Sequence, residues 1–153
     1  MKREHFPTTG SLVWHLATRW RAVVDREVAP FGLTHAQYSA LASLRSMTSG
    51  GATPTQRELA EFTGLGPIYV SKLVRTLEQN DFVTRTPHPT DARAVQLTLT
   101  PHGTEVIDRA VPVVRALDRR LTAPLGGPGS PAIQALTESL TTLLEATGQG
   151  DTA

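Results

Sequence analysis

The sequence contains no cysteine in 153 residues, which excludes disulfides, thiolate metal ligands and a thiol redox switch. It also has no apolar run as long as the roughly eighteen residues that a membrane-spanning helix needs. Its N-terminus lacks a charged start followed by an apolar stretch, so the sequence predicts no signal peptide. These absences fit a protein of the reducing cytoplasm with no membrane partner.

Catalytic signatures are absent as well. The sequence has no Gly-x-Ser-x-Gly elbow, no phosphate-binding loop and no glycine-rich dinucleotide fingerprint. Its histidines form no pattern typical of a metal site; they are His5, His15, His35, His88 and His102. The sequence therefore predicts neither an enzyme nor a bound cofactor or metal.

The positive and negative side chains nearly balance, since the net charge is only +1. Such a balance argues against a protein that coats nucleic acid without specificity. The charge is nevertheless uneven: counted from the sequence, residues 1–100 carry +3 and residues 101–153 carry −2. A modest basic excess thus lies in the first two thirds of the chain.

The length and the 39% apolar fraction predict one domain, residues 1–153, built mostly of helices. A first helix over 9–29 starts at a Thr9 or Ser11 cap, and its apolar spacing includes Leu12, Val13 and Leu16. A second runs from a Thr34 cap to Met47. Over 101–146 a long helix, kinked at Pro112, precedes a last one opened by Ser130-Pro131. The tail from Thr147 is expected to be disordered.

Residues 55–79 predict two short helices joined by a tight turn. Thr55 and Glu58 have the spacing of a capping box, with Leu59, Ala60 and Phe62 as a small apolar face. Gly64 ends this helix, and Gly66-Pro67 opens the next, because proline suits a first turn. Apolar residues then recur at i, i+3, i+4 and i+7, which indicates one buried face; they are Val70, Leu73, Val74 and Leu77.

The period changes to two after the second short helix. Residues 82–85 and 95–99 alternate as strands, and Pro87, Pro89, Thr90 and Asp91 mark the tip of a hairpin between them. Helix, turn, helix and hairpin together are typical of a winged helix-turn-helix. In that arrangement the second helix enters a major groove and the hairpin, or wing, reaches the flanking minor groove.

At these residues the chain resembles the MarR family (multiple antibiotic resistance regulators). The resemblance covers about half the chain, and the order and spacing of the motifs are more specific than any one motif. The matching segments are Gly32-Leu33-Thr34 to Gln37 with Leu41 and Leu44, Glu58-Leu59-Ala60, Val70-Ser71-Lys72-Leu73-Val74 through Leu77-Glu78, Phe82-Val83-Thr84-Arg85, Asp91-Ala92-Arg93-Ala94 and Leu99-Thr100-Pro101-His102-Gly103.

Two departures from the family pattern matter. Asp81 stands where the family usually has glycine, and aspartate tolerates left-handed geometry better than most residues. The wing tip commonly reads Asp-Pro-x-Asp-Arg-Arg, whereas this chain has His88 in the first position and Ala92 in the fifth. One basic residue is lost, so the electrostatic contribution of the tip should be weaker.

Residues on the second short helix are candidates for DNA contact: Pro67, Ile68, Tyr69, Ser71, Lys72 and Arg75. Lys72 and Arg75 suit phosphates or base edges, and Pro67 and Ile68 suit a thymine methyl group. The alternatives are a solvated face for the polar residues and packing on the previous helix for Pro67 and Ile68.

In the wing, Arg93 is the sharpest candidate because a guanidinium at a hairpin tip suits a narrow, negative minor groove. Asp91 could orient it by a charge-assisted hydrogen bond. Arg85 could contact phosphate or pair with Asp91. The bland alternative for the arginine at the tip is a surface ion pair of little energetic value.

The resemblance further implies that the terminal helices, 9–29 and 101–146, form a homodimerisation platform beside the DNA-binding part, 34–100. The alternative is that they pack on their own core. Residues bordering a ligand cleft in relatives correspond to Trp14, His15, Trp20, Tyr38 and Met47; such a cleft suits a small aromatic or lipophilic effector. Packing in the core is the commoner fate of such side chains.

The sequence thus predicts a cytoplasmic, homodimeric regulator that binds double-stranded DNA at a pseudo-palindromic operator. Its expected mode is repression relieved by a small ligand. A winged-helix adaptor that binds protein without DNA is the alternative; the low net charge favours it, and the Asp-x-Arg wing argues against it.

Overall fold

Six α-helices and one β-hairpin make up the part of the chain that the computed structural model describes, residues 7–148. In chain order they are α1 (Thr9–Val28), α2 (His35–Met47), α3 (Gln56–Thr63), α4 (Pro67–Gln79), β1 (Val83–Pro87), β2 (Val95–Leu99), α5 (Pro101–Thr122) and α6 (Pro131–Gly148). Contacts divide the chain into two compact units between Val113 and Val114, within α5. The mostly helical fold with a hairpin is confirmed, while the expectation of a single domain stays a prediction.

The first unit is built around large aliphatic side chains that α2, α3, α4, β2 and the start of α5 bury together. Fully buried members of this core are Leu41, Leu44, Leu59, Val70, Val74, Leu77, Leu97 and Ile107. The buried residues of α4 keep the predicted period, and only Leu73 is partly exposed. Because α4 buries one face in this way, its other face is directed to solvent.

Helix starts follow the sequence signals closely. Thr55 and Glu58 form the predicted capping box: the Glu58 amide donates to Thr55 Oγ1 at 3.2 Å, and the Thr55 amide donates to the Glu58 carboxylate at 2.6 Å. Thr34 caps α2 as predicted and also forms a box with Gln37, which the sequence interpretation missed. The cap of α1 is Thr8, where Thr9 or Ser11 was predicted.

The hairpin is a two-stranded antiparallel sheet in which Val83 pairs with Leu99 and Pro87 with Val95. β1 begins one residue later than predicted and includes Pro87, which the sequence placed in the tip. A third segment joins the sheet, since Thr55 forms a bridge with Gln96 and the Leu97 amide donates to the Pro54 carbonyl at 2.8 Å. The wing is therefore fastened to the start of α3.

Several apolar residues that periodicity assigned to buried faces are exposed. Phe62 on α3 is 59% exposed, and α1 buries only Val24 and Val28 while Leu12, Val13 and Leu16 face solvent. Periodicity identifies a face but not what covers it.

The second unit contains the end of α5, a 3₁₀ turn over Ala123–Leu125 and α6. α5 continues through Pro112; the kink expected there stays a prediction. None of the residues of α6 is buried, and Leu136, Leu143 and Leu144 are exposed. Because α6 runs to Gly148, Thr147 is helical rather than part of a disordered tail; the rest of the predicted tail and residues 1–6 lie outside the described residues.

Candidate nucleic-acid interface

The turn between α3 and α4 is set by two glycines and a proline. Gly64 ends α3 in the left-handed region at φ 69°, which a residue without a side chain adopts at no steric cost. Gly66 precedes α4 in an extended conformation, and Pro67 occupies its first turn, as predicted. This turn fixes the direction in which α4 leaves the core.

The exposed face of α4 carries the residues that the sequence proposed for DNA contact. Pro67, Ile68, Tyr69, Lys72 and Arg75 are exposed, with 76% of Ile68 accessible to solvent. Ser71 is only half-buried. An exposed isoleucine and tyrosine beside two cations combine apolar and basic groups on one accessible helix face.

The turn after α4 uses the one non-glycine residue with a left-handed backbone among the described residues. Asp81 has φ 58°, so the expectation that aspartate would replace the family glycine in this geometry is confirmed. Its carbonyl accepts the Thr100 hydroxyl at 2.6 Å. That hydroxyl also caps α5 by accepting the Gly103 amide at 2.8 Å. The turn is thus linked directly to the start of α5.

Arg85 lies on β1, at the base of the wing and beside α4. Its Nε donates to the Glu78 carboxylate at 2.7 Å, and the two side chains are 31% and 36% exposed. The structural partner of Arg85 is therefore Glu78, whereas the sequence had suggested Asp91. Glu78 is near in space because β1 turns back along α4, which no local spacing signals.

The wing tip is held by side chains that accept backbone amides. The Nδ1 of His88 accepts the amides of Thr90 at 3.2 Å and Asp91 at 3.1 Å. Asp91 Oδ1 in turn accepts the Arg93 amide at 3.0 Å. Asp91 therefore orients the backbone at Arg93, whereas the sequence had suggested a bond to its guanidinium. Sequence reasoning missed the role of His88, although its place two residues before Thr90 suits a side-chain turn acceptor.

Three basic side chains at this surface have no carboxylate partner. Within the described range 7–148, neither Lys72 and Arg75 on α4 nor Arg93 at the tip has an ion pair. Although the net charge of the chain is small, these three cations on the exposed faces of α4 and the wing are therefore available to bind an anionic partner. Such unneutralised cations can displace counterions from a nucleic-acid backbone.

A cavity of about 750 Å³ opens beside the α3–α4 turn. Its wall is contributed by α1, α2, the turn and the start of α4: Ala17, Arg21, His35, Ala36, Ser39, Ser43, Thr63, Gly64, Leu65, Gly66 and Tyr69. Burial lowers the pKa of His35; Asp25 opposes this effect and Arg21 adds to it. The cavity wall is mainly apolar, with a few polar groups, as small-molecule sites are.

None of the five residues predicted to border a ligand cleft lines this cavity. Trp14 and His15 are exposed on the first half of α1, with Trp14 71% accessible, and Tyr38 and Met47 are half-buried on α2. On α2 the cavity meets the face of Ala36, Ser39 and Ser43 instead. A ligand cleft bordered by the five residues named from the sequence stays a prediction.

No group of histidines and carboxylates suited to a metal ion occurs among residues 7–148. No helix in that range is long and apolar enough to cross a membrane.

Comparison with known proteins supports this geometry. The sequence profile of the MarR family matches residues 33–95, which contain α3, α4 and most of the wing. The chain is 39% identical over 114 residues to the uncharacterized HTH-type transcriptional regulator YdcH of Bacillus subtilis, a match that covers 74% of this chain and 78% of YdcH. The chain belongs to the MarR family. Members are transcriptional regulators, so this chain is a DNA-binding regulator and not an enzyme.

Two further proteins resemble this chain over most of its length. The HTH-type transcriptional repressor Rv2887 of Mycobacterium tuberculosis is 29% identical over 131 residues, covering 86% of this chain and 91% of the repressor. The structure of S. aureus MepR bound to DNA superposes with a TM-score of 0.81 at 20% identity, covering 92% of this chain and 98% of MepR. The second similarity shows the shared fold.

Proposed function

We propose that two copies of this chain form a repressor that binds a pseudo-palindromic operator and is released by a small ligand. Each copy inserts α4 into a major groove and the wing into the neighbouring minor groove. The observation that carries the proposal is the exposed face of α4, whose Lys72 and Arg75, together with Arg93 on the wing, form no ion pair with any acidic residue of the described range 7–148. Since its target is the chromosome, the regulator would act in the cytoplasm.

On α4 we assign different roles to the cationic and the apolar residues. Lys72 and Arg75 contact phosphates or base edges, and Ser71 and Tyr69 can donate to phosphate oxygens. Ile68, at 76% exposure, and Pro67 at the helix start suit contact with thymine methyl groups. A phosphate contact contributes affinity on any sequence, whereas a methyl contact discriminates between base pairs.

In the wing we assign the minor-groove contact to Arg93. The Asp91 carboxylate fixes the Arg93 amide, so the carboxylate shapes the tip without neutralising the guanidinium. Arg85 has a supporting role: its bond to Glu78 holds the base of the wing against the end of α4. Any phosphate contact by Arg85 would have to form while that bond persists or replace it.

The exposed apolar residues of α1 and α6 supply the surface for a homodimer. Each helix leaves large side chains in solvent, among them Trp14 on α1 and Leu144 on α6, with 71% and 72% exposure. Exposed apolar surface of this extent is typical of an interaction site. A dimer would place two α4 helices on successive major-groove faces, about one helical turn apart.

The cavity beside the α3–α4 turn is the place we propose for the effector, which would be a small, largely apolar molecule. Tyr69 lines this cavity and is also 47% exposed at the start of α4. A ligand in contact with Tyr69 therefore touches an element that we assign to DNA. If the ligand prefers a geometry that misfits the operator, its differential affinity lowers DNA affinity by the same factor.

The test is a salt titration of affinity on operators with A·T-rich and G·C-rich flanks. Lys72→Ala should weaken specific and nonspecific DNA alike and reduce the logarithmic salt slope by about one unit per phosphate lost, or about two for a dimer. Arg93→Ala should cost on the order of 1–3 kcal/mol per half-site, mainly on A·T-flanked sites. Arg93→Lys should recover only part of that loss, because ammonium is costlier to desolvate than guanidinium.

A matched control is Arg109→Ala, which removes one positive charge from α5, where the side chain pairs with Glu105. It should leave both the salt slope and the flank preference almost unchanged. Equal binding of both operators by Arg93→Ala and the parent would rule out a minor-groove role for the wing. A particle of one-chain mass at micromolar concentration, measured by light scattering, would rule out the dimer.

A further inference from the structure

Among residues 7–148, His88 is the one side chain that accepts hydrogen bonds from the backbone of the first half of the wing tip. Its own amide donates to the Ala94 carbonyl at 3.1 Å and closes the base of the tip. Its Nδ1 then accepts two successive backbone amides, those of Thr90 and Asp91, at 3.2 and 3.1 Å. One ring nitrogen therefore fixes the path of the chain on the way to Arg93.

The tip is a short series of linked acceptors. His88 fixes the amide of Asp91, and the Asp91 carboxylate fixes the amide of Arg93 at 3.0 Å. The Asp91 carbonyl accepts the Ala94 amide at 3.1 Å and closes the turn behind the arginine. The direction of the Arg93 side chain thus depends on an acceptor five residues earlier.

We propose that His88 is a positioning residue for DNA recognition: its neutral ring sets the wing tip so that Arg93 points into the minor groove. The proposal rests on the minor-groove role proposed for Arg93. His88 itself need not touch DNA. Because the tip residues are exposed, water can replace a lost acceptor there, so the contribution of His88 is to geometry more than to stability.

The arrangement is possible in one protonation state only. A neutral imidazole with its proton on Nε2 has a lone pair on Nδ1, whereas imidazolium carries a proton on both nitrogens and accepts nothing. Histidine is the side chain that most commonly changes charge between about pH 5 and 8. Protonation of Nδ1 would therefore remove both amide bonds and free the tip.

The His88 ring lies among charged side chains of both signs. The space between α3 and the tip that His88 lines is also lined by Arg57, Glu58, Glu61, Asp91 and Arg93. The Thr55 amide and hydroxyl lower the pKa of Glu58, and nearby His88 adds to that effect, which places the carboxylate within electrostatic reach of the ring.

Two effects of protonation on DNA affinity must be separated. A new positive charge strengthens binding to any DNA, while a loosened tip weakens only the reading of the minor groove. The ratio of affinities for A·T-flanked and G·C-flanked operators largely cancels the first effect. This flank ratio, measured from pH 8 to pH 5.5, is the decisive quantity.

The variants separate hydrogen bonding from charge and shape. In His88→Asn the amide oxygen takes the place of Nδ1 but does not titrate, and in His88→Leu no acceptor remains. The parent's flank ratio should fall on acidification about three- to tenfold, as expected for one to two neutral hydrogen bonds. His88→Asn should keep a high ratio at every pH, and His88→Leu a low one. The control is His102→Asn, which changes a ring stacked on Phe82 with 5.2 Å between ring centroids. Its flank ratio should depend on pH as the parent's does.

A measurement on the free protein, without DNA, helps to distinguish failure of the inference about His88 from failure of the proposed wing function. In the free protein, the amide resonances of Thr90 and Asp91 should shift between pH 8 and 5.5 in the parent and stay fixed in His88→Asn. If Arg93→Ala keeps the parent's flank ratio, both the proposed wing function and its dependence on His88 are wrong, whatever the resonances do. If Arg93→Ala loses the ratio while the parent's ratio is flat with pH, or His88→Leu keeps it, only the inference about His88 is overturned.

Discussion

Gly103 allows the start of α5 to approach the segment that enters the wing. It is buried in the first turn of α5, and a methyl group on its Cα would lie 2.0 Å from the carbonyl oxygen of Phe82 and 2.9 Å from its carbonyl carbon. These are backbone atoms and cannot rotate away. The same carbonyl accepts the Thr100 amide at 3.1 Å. In Gly103→Ala the two segments must therefore separate.

The expected loss follows from three contributions. Overpacking in a well-packed region costs about 1–3 kcal/mol, and the strained Thr100–Phe82 hydrogen bond adds about 0.5–1.5 kcal/mol. Alanine in a helix offsets up to about 1 kcal/mol relative to glycine. The net decrease in the free energy of unfolding is about 1–3 kcal/mol, which for a chain of this size lowers Tm by roughly 3–10 °C.

The assay is thermal and urea unfolding followed by circular dichroism. The matched control is Gly10→Ala in α1, where an added methyl group meets nothing within 4 Å. It should leave the free energy of unfolding unchanged or raise it by up to about 1 kcal/mol, because alanine is the better helix former and nothing obstructs its side chain. If Gly103→Ala has the same Tm as the parent, the close approach at Phe82 does not limit the packing of α5. The same conclusion holds if Gly10→Ala lowers the free energy of unfolding as much as Gly103→Ala does.

Three further predictions concern charged contacts. Burial lowers the pKa of His35, so the free energy of unfolding should rise with pH through the unfolded histidine value of about 6.5, and His35→Gln should flatten that rise in urea titrations from pH 5 to 8. The Arg45 hydrogen bond lowers the pKa of Asp108, so the pair's contribution should be lost in acid, and Asp108→Asn should make Tm less sensitive to pH below 5. A double-mutant cycle on Glu78 and Arg85 should give a coupling of about 0.5–1 kcal/mol; no coupling would mean that the contact does not hold the wing.

Local signals predicted most of the DNA-binding part. The Thr55–Glu58 box, the Gly64 terminus and the Pro67 start each act within one turn of helix, so the residues near them determine the outcome. The positions of α3, α4 and the hairpin could be predicted for that reason. The left-handed backbone of Asp81 was expected instead from the family resemblance, because the family usually has glycine at this position.

Contacts between elements could not be predicted in this way. The bond from Arg85 to Glu78 depends on how β1 turns back along α4, and the sequence suggested Asp91 instead. Phe62 shows the converse problem: its spacing fits an apolar face, yet it is 59% exposed because the core of α3 is complete with Leu59 and Ala60. Hydrophobic spacing does not show how much neighbouring surface is available to cover a side chain.

The contacts around the wing constrain how an effector can act on DNA binding. β1 is held to α4 by Arg85 and Glu78, and the turn between them is held by the Thr100 hydroxyl on the Asp81 carbonyl at 2.6 Å. A ligand that displaces α4 through Tyr69 should therefore carry the wing with it as one body. In the homodimer that we propose, the response would then be a change in the spacing of the two α4 helices, which determines how they fit two half-sites one turn apart. Within one copy, the tip beyond Pro87 is held less firmly: among residues 7–148, only the side chains of His88 and Asp91 accept hydrogen bonds from its backbone amides.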